Sequence, residues 1–520
     1  MTGAPPSLVR LEEYACEGLV FSSDFDSGNL KCARFVQGTY QLEIARDCEG
    51  TPQETRSCTW FHFRVRAEKH QKSKFKIVNM NKQGALYRFG FRVVVDDGTG
   101  WSRLSTPVDY RERRDSGEVQ WEYEFQAKEE AAFAFTYPYS CEDLEKSLVD
   151  ASVLASKRGV YFRRQLLCRS LEGRRVDLVT ITDPKNTSSS SEEDDQTFLG
   201  DEETWLFPDA RAGIEPAEKL MFRRRRPTIL VGARVHPGET PASFVLEGLL
   251  DVLLAEDARS QRLRAKYVWR IVPMLNPDGV ARGHYRRDAR GVNLNRVYYP
   301  WPDHRVYPAQ AALMILAKAC PLYLFLDLHA HATKRGAFAY GNALDDPKDV
   351  VQNKLYPLLL SVNSPYFDFD GCNFSKEHML RVDCDGSSAR GAARVAVREY
   401  AGLVAAYTLE CNYHCPKTIN HVPASRAREA SPEQRPRGRH VEPFGPDAWR
   451  GIGRALAPAV LDLDDDNPWG RVSNSKWRTL ANMRAYLAAK PSVVLLRPPL
   501  PTSSKKNLRR RRRGLFLKKV

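Results

Sequence analysis

Two histidines and two glutamates are the residues of this chain whose types and spacing best suit chemistry. His236 and Glu239 stand three positions apart after one apolar run, His329 ends a second apolar run, and Glu410 ends a third. Two imidazoles and one carboxylate are a ligand set that leaves a tetrahedral zinc ion with one open position. Glu410 supplies a separate carboxylate that can act on a water molecule in that position. The sequence therefore predicts one catalytic zinc site per chain.

The surrounding apolar segments predict where the ligands lie. Residues 228–235 and 322–328 are apolar runs of strand length, and an apolar-periodic helix follows the first run. Residues 236–239 should therefore form a strand-to-helix turn, and His329 should lie at a strand end. Open α/β sheets place ligands at the carboxyl ends of their strands. We expect His331 to point to the opposite face from His329 and to have a structural role.

Further motifs give the chain a family resemblance. They begin at Tyr137, Asn276, Gly283 and Asn293 and read Tyr-Pro-Tyr-Ser, Asn-Pro-Asp-Gly, Gly-His-Tyr-Arg and Asn-Leu-Asn-Arg. With the four residues above, they resemble the motifs of the cytosolic carboxypeptidase family of zinc metallocarboxypeptidases, over most of the chain. The resemblance implies a protein deglutamylase that removes C-terminal or side-chain-branched glutamates from polyglutamylated proteins such as tubulin.

The resemblance also implies catalytic roles. It places zinc on His236, Glu239 and His329, with Glu410 as the general base. Arg286 matches the arginine that stabilises the oxyanion, a charge that develops in the transition state and is best met by a preorganised cation.

Substrate recognition is implied in the same way. Asn295 and Arg296 match the pair that holds the terminal carboxylate, for which a planar guanidinium beside an amide is well suited. Arg394 matches the arginine that lines the specificity pocket of deglutamylating members, where a cation pairs with an acidic side chain. Asn293 stands where the wider superfamily has an aspartate that orients the first zinc histidine. Its amide oxygen can accept the same hydrogen bond without adding negative charge.

The remaining sequence predicts two domains and a tail. Residues 1–140 alternate apolar and polar positions between turn signals, which predicts an antiparallel β-sandwich. Residues 141–490 alternate strand-like and helix-like segments, which predicts an α/β catalytic domain with a mixed sheet and helices on both faces. Loop insertions are expected near 187–203 and 424–439, and a basic, disordered tail over 491–520.

Charge and composition limit the classes of binding partner and the cellular locations that we expect. The 520 residues include 79 Lys and Arg against 64 Asp and Glu, a net charge of +15, which favours polyanionic partners such as acidic tubulin tails. Nucleic acid is disfavoured because no nucleic-acid-binding motif is recognisable. Eleven scattered cysteines and no signal peptide favour the cytoplasm, and no apolar run reaches the length of a membrane span. We expect a monomer that associates with microtubules. The basic tail also permits a nuclear location.

Two other functions stay open. An aspartoacylase-like amidohydrolase shares the metal motif but acts on small acylated amino acids, and the pair Asn295 and Arg296 disfavours it. A catalytically silent tubulin-binding protein would keep the basic surface without the chemistry. The presence of every expected catalytic residue disfavours that function.

Overall fold

The computed structural model describes residues 11–186, 205–211, 226–383, 386–427, 443–465 and 467–489. Three predicted segments fall wholly or mostly outside these residues. They are the insertion at 187–203, most of the insertion at 424–439, and the tail at 491–520.

The N-terminal strands form two sheets. The strands are β1 (Tyr14–Cys16), β2 (Leu19–Ser22), β3 (Cys32–Val36), β4 (Thr39–Glu43), β5 (His62–Ala67), β6 (Gln71–Met80), β7 (Val94–Asp96), β8 (Ser102–Arg103), β9 (Asp109–Glu112), β10 (Gly117–Phe125) and β11 (Glu130–Ala134), with helix α1 (Gly84–Tyr87) after β6. One sheet has the order β1-β2-β5-β11-β7-β8 and the other β3-β4-β6-β10-β9.

Aromatic side chains fill the space between these two sheets. Phe133 on β11 lies 5.5 Å from Phe75 on β6 and 5.8 Å from Trp121 on β10, measured between ring centroids. Inward-facing positions alternate with exposed ones along the strands, as expected for packed sheets. The predicted sandwich is confirmed, with one difference: β4 and β6 pair in parallel.

A seven-stranded mixed sheet organises the remainder. Its strands are β12 (Tyr161–Arg169), β13 (Arg175–Thr182), β14 (Thr228–Ala233), β15 (Val268–Val272), β16 (Leu322–His331), β17 (Ala337–Tyr340) and β18 (Ala406–Asn412). The order is β12-β13-β15-β14-β16-β18-β17. The four strands β15, β14, β16 and β18 are parallel, and antiparallel strands flank them on both sides.

Helices cover both faces of this sheet, as predicted. They are α2 (Cys141–Lys157), α3 (Pro208–Arg211), α4 (Pro241–Leu253), α5 (Ala258–Lys266), α6 (Pro277–Ala281), α7 (Pro308–Ala319), α8 (Pro347–Asn363), α9 (Lys376–Met379), α10 (Ala393–Ala401), α11 (Pro446–Leu463) and α12 (Leu480–Ala489). Ile229 and Val231 of β14 belong to a core with Leu249 of α4, whereas Leu230 belongs to a core with Leu313 of α7. This alternation is typical of a strand buried on both faces. Within the described residues, no helix has the length and apolar character needed to cross a membrane.

Candidate active site

Three side chains meet where two parallel strands end. His236 and Glu239 lie in the turn between β14 and α4, here called the metal turn (residues 236–239), and His329 lies near the end of β16. Glu239 Oε1 is 2.8 Å from His236 Nδ1, and its Oε2 is 2.8 Å from His329 Nδ1. All three residues are buried, and their ligand atoms lie within 4.8 Å of one another. The sheet thus brings together residues that are far apart in sequence.

Two acceptors orient the imidazoles. His236 Nε2 lies 2.9 Å from Asn293 Oδ1, and His329 Nε2 lies 2.8 Å from Asp327 Oδ2. These contacts engage Nε2 of each ring, and each Nδ1 faces Glu239. The two Nδ1 atoms and the Glu239 carboxylate therefore form one set of candidate metal-ligand atoms. Two imidazoles and a carboxylate, with the outer ring nitrogens held by acceptors, fit a zinc ion.

Asp327 has a place in the site that the sequence reasoning did not assign. Residues two apart on a strand share a face, so Asp327 and His329 point the same way. This periodicity was the available signal. It also shows that the expectation for His331 was wrong. His331 lies two residues after His329 on β16, so the two side chains share a face of the strand. His331 Nδ1 accepts the backbone N–H groups of Thr333 and Lys334 at 3.2 and 3.0 Å, so it is engaged in a turn.

A buried arginine braces the metal turn. Arg234 has a φ of 56°, in the left-handed region that is uncommon for a residue with a Cβ. Its guanidinium donates to the carbonyl of Pro237 at 2.6 Å and to the carbonyl of Tyr139 at 2.9 Å. Tyr139 belongs to the Tyr-Pro-Tyr-Ser motif, and Ser140 of that motif caps α2. Arg234 therefore connects this motif to the backbone of the metal turn.

Glu410 lies on the strand beside His329. The register of β16 and β18 pairs these two residues directly. Burial raises the pKa of Glu410 to about 8, with the charges of Glu239 and Asp327 acting in the same direction and His329 opposing them. Its Oε2 is buried and has no hydrogen-bond partner among the described residues. A carboxylate with a free oxygen and a raised pKa is suited to accepting a proton.

Arg286 lies beside Glu239 of the metal turn. Its guanidinium Nη1 lies 3.7 Å from Glu239 Oε1, and its side chain is 31% exposed. The structure therefore brings Arg286 to the candidate metal centre while leaving part of the guanidinium accessible.

Asn295 and Arg296 follow one another in a turn but have different surroundings. The Asn295 side-chain oxygen accepts the Ala393 N–H at 3.0 Å, and its nitrogen lies 3.2 Å from His329 Nε2. Arg296 donates to Asp383 Oδ2 from Nε at 3.0 Å and from Nη2 at 2.8 Å. Burial alone would raise the pKa of Asp383, but Arg296 lowers it below its ordinary value. An acidic side chain of the protein thus already contacts the guanidinium.

Arg394 lies at the start of α10 and is 3% exposed. Its guanidinium donates to the Gly341 carbonyl at 3.3 Å, lies 3.4 Å from His378 Nδ1 and lies 5.8 Å from the Tyr340 ring centroid. Within the described ranges, it forms no ion pair with a carboxylate. Burial, followed by the charge of Arg296, lowers the pKa of Arg394 to about 10, while the charges of Asp327 and Glu410 act in the opposite direction.

Several cations act on His378, which contacts this arginine. Burial lowers the pKa of His378 to about 3, and the positive charges of four residues act in the same direction: Arg394, Arg381, Lys334 and Arg296. The sequence analysis did not identify His378, nor the cations Arg381 and Lys334. No local motif marks them, because they come from separate loops and short elements.

Comparison with protein families gives two matches. Residues 21–137 match the cytosolic carboxypeptidase N-terminal domain, and residues 154–312 match zinc carboxypeptidase. The second match contains the metal turn, and the first covers most of the sandwich.

Comparison with individual proteins gives related sequences and folds. Cytosolic carboxypeptidase-like protein 5 of Mus musculus is 33% identical, over 91% of this chain and 67% of that protein. Cytosolic carboxypeptidase 1 of Gallus gallus is 29% identical, over 75% of this chain and 32% of that protein. Among solved structures, a metallo-carboxypeptidase from Burkholderia cenocepacia has a TM-score of 0.62 at 19% identity, over 86% of this chain and 99% of that one.

Proposed function

The chain belongs to the cytosolic carboxypeptidase family of zinc carboxypeptidases, and on that premise we propose that it is a protein deglutamylase. It removes C-terminal or side-chain-branched glutamates from polyglutamylated proteins, tubulin foremost. Its location is cytoplasmic, with microtubules or the nucleus as sites of action. The net charge of +15 supports an acidic protein as the partner.

The buried guanidinium of Arg394 carries this proposal. Burying a cation costs free energy unless an anion compensates it. The charges of Asp327 and Glu410 act on Arg394, but no carboxylate of the described residues forms a direct ion pair with it. The side-chain carboxylate of a substrate glutamate would supply that partner. An apolar or cationic residue would leave the guanidinium uncompensated, so the pocket discriminates by charge.

A second carboxylate contact is needed for an exopeptidase, which must recognise a free chain end. Arg296 can bind this group through its planar guanidinium, in competition with Asp383. Asn295 is proposed to bind the same group beside Arg296, and its side chain also contacts His329 and Ala393. Together, Arg296 and Arg394 provide one cation for each carboxylate of a terminal glutamate.

The chemical step follows from the residues around the metal ligands. His236, Glu239 and His329 would hold a zinc ion, which lowers the pKa of a water molecule and polarises the scissile carbonyl. Glu410 takes a proton from the water through its unpaired Oε2 and later gives it to the departing amine. Arg286 stabilises the negative charge that develops on the carbonyl oxygen.

The proposal is tested with the zinc-loaded chain and a set of peptides. We expect release of free glutamate from peptides that end in glutamate, slower release from peptides that end in glutamine or leucine, and arrest by a chelator. N-acetylaspartate in the same assay separates this activity from a small-molecule amidohydrolase. Hydrolysis of N-acetylaspartate alone would contradict the proposal, as would microtubule binding by zinc-loaded protein with no release of glutamate.

A further inference from the structure

An aspartate of the N-terminal sandwich lies against the loop that carries Arg286. We call residues 283–291 the Arg286 loop. Asp47 is 1% exposed; its Oδ1 accepts the Tyr285 N–H at 2.7 Å, and its Oδ2 accepts the Arg286 and Arg287 N–H groups at 2.8 and 2.9 Å. A carboxylate that accepts three successive backbone N–H groups fixes the backbone that presents them. These bonds join residues 238 to 240 positions apart, so they link the two domains.

The opposite side of the same backbone contacts the metal turn. Gly238 N–H donates to the Tyr285 carbonyl at 2.8 Å, and a Cβ at position 238 would lie 2.6 Å from the Tyr285 ring. Asn276 donates to the carbonyls of Val235 and Arg287, at 3.3 Å each. The Arg286 loop is therefore held between Asp47 on one side and the backbone of the metal turn on the other.

Hydrogen bonds within the loop between β4 and β5 hold Asp47 itself in place. The Asp47 N–H donates to the Ser57 carbonyl at 2.9 Å, and the Asp47 carbonyl accepts the Thr55 N–H at 3.0 Å. The next residue, Cys48, lies against the Arg286 loop, since its N–H donates to His284 Nε2 at 3.3 Å. The carboxylate thus extends from a backbone segment that is rigidly bonded within its own domain.

We propose that Asp47 is a positioning residue for catalysis, through which the N-terminal sandwich fixes the distance of Arg286 from the metal centre. Oxyanion stabilisation depends on a cation that is already in place, and displacements of about 1 Å can cost about 10²-fold in rate. The Arg286 side chain is long and partly exposed, so its placement relies on its backbone. This inference rests on the proposed peptide hydrolysis.

The first test compares Asp47→Asn with a control inside the same domain. The asparagine keeps the shape but turns an NH₂ group toward backbone donors, so we expect kcat to fall about tenfold while KM changes less than twofold. Asp47→Glu keeps the charge and should recover part of kcat, which guards against a folding defect. Asp109→Asn is the control, because it makes the same side-chain change on β9, where the exposed Asp109 carboxylate pairs with Arg111. Its kcat should match the wild type.

The second test asks whether Asp47 acts through Arg286. In an Arg286→Gln background, Asp47→Asn should cause no further loss of kcat. Amide hydrogen exchange over residues 283–291 should accelerate in Asp47→Asn but not in Asp109→Asn. An equal loss of kcat in both backgrounds, or unchanged exchange, overturns the proposal. If the wild type releases no glutamate from any peptide, the proposed function fails, and the exchange measurement alone then decides the role of Asp47.

Discussion

The metal-binding half of the site and the recognition half are held by different kinds of structure. His236, His329 and Glu410 lie at or near the ends of the adjacent parallel strands β14, β16 and β18, and the register of the sheet sets their spacing. Arg296 and Arg394 come instead from a short turn and the start of α10, among loop residues. On the proposed function, the sheet therefore fixes the chemistry, while loop contacts and charge fix the choice of the residue that is removed. The two halves should be separable by mutation.

Glu410→Gln should have the largest effect on the metal-binding half. The amide cannot accept a proton from water, so we expect kcat to fall by at least about 10²-fold. Zinc content, measured by mass spectrometry of the purified variant, should stay at one ion per chain. His236→Ala serves as the contrast, since it should lose zinc as well as activity. Full activity in either variant would refute the assignment of that residue.

Asp327→Asn should weaken zinc binding in the metal-binding half. The amide is a poorer acceptor for His329 Nε2 and carries no charge, so we expect zinc affinity to fall about 10- to 100-fold. Asn293→Asp is the opposite change, and by adding charge beside His236 it should tighten zinc binding. Competition with a chromophoric chelator gives both affinities. Equal affinities for the two variants would contradict this account of the acceptors.

Asp383→Asn should have the smallest effect, confined to the recognition half. The Asp383 carboxylate accepts hydrogen bonds from the guanidinium of Arg296. A neutral amide at this position should compete less with the substrate carboxylate for that guanidinium. We expect KM for a glutamate-ending peptide to fall about fivefold, equivalent to roughly 1 kcal/mol, with kcat unchanged. Asp303→Asn, which removes an exposed carboxylate paired with Arg305, is the control. A rise in KM for Asp383→Asn would instead make Asp383 a support for Arg296.

The same division explains what could be predicted from the sequence. His236 and His329 were predicted as ligands because each comes at the end of an apolar run of strand length. The carboxyl ends of parallel strands lie at the same edge of a sheet. Asp327 was missed although the two-residue strand period marks it. Asp383 and Asp47 carry no such signal, since their contacts with Arg296 and the Arg286 loop span 87 and about 240 residues. Such contacts depend on how loops and domains pack, which no local pattern encodes.

The central claim of the proposed function is that the buried guanidinium of Arg394, which has no ion-pair partner among the described residues, selects glutamate at a zinc carboxypeptidase site. Its most direct test is the ratio of kcat/KM for peptides ending in glutamate and in glutamine, measured for the wild type, Arg394→Gln and the exposed control Arg390→Gln. The account predicts a ratio of at least about 10² in the wild type and the control, and a ratio near one in Arg394→Gln, with zinc retained in all three. A wild-type ratio near one, or a ratio that Arg394→Gln leaves intact, would contradict it.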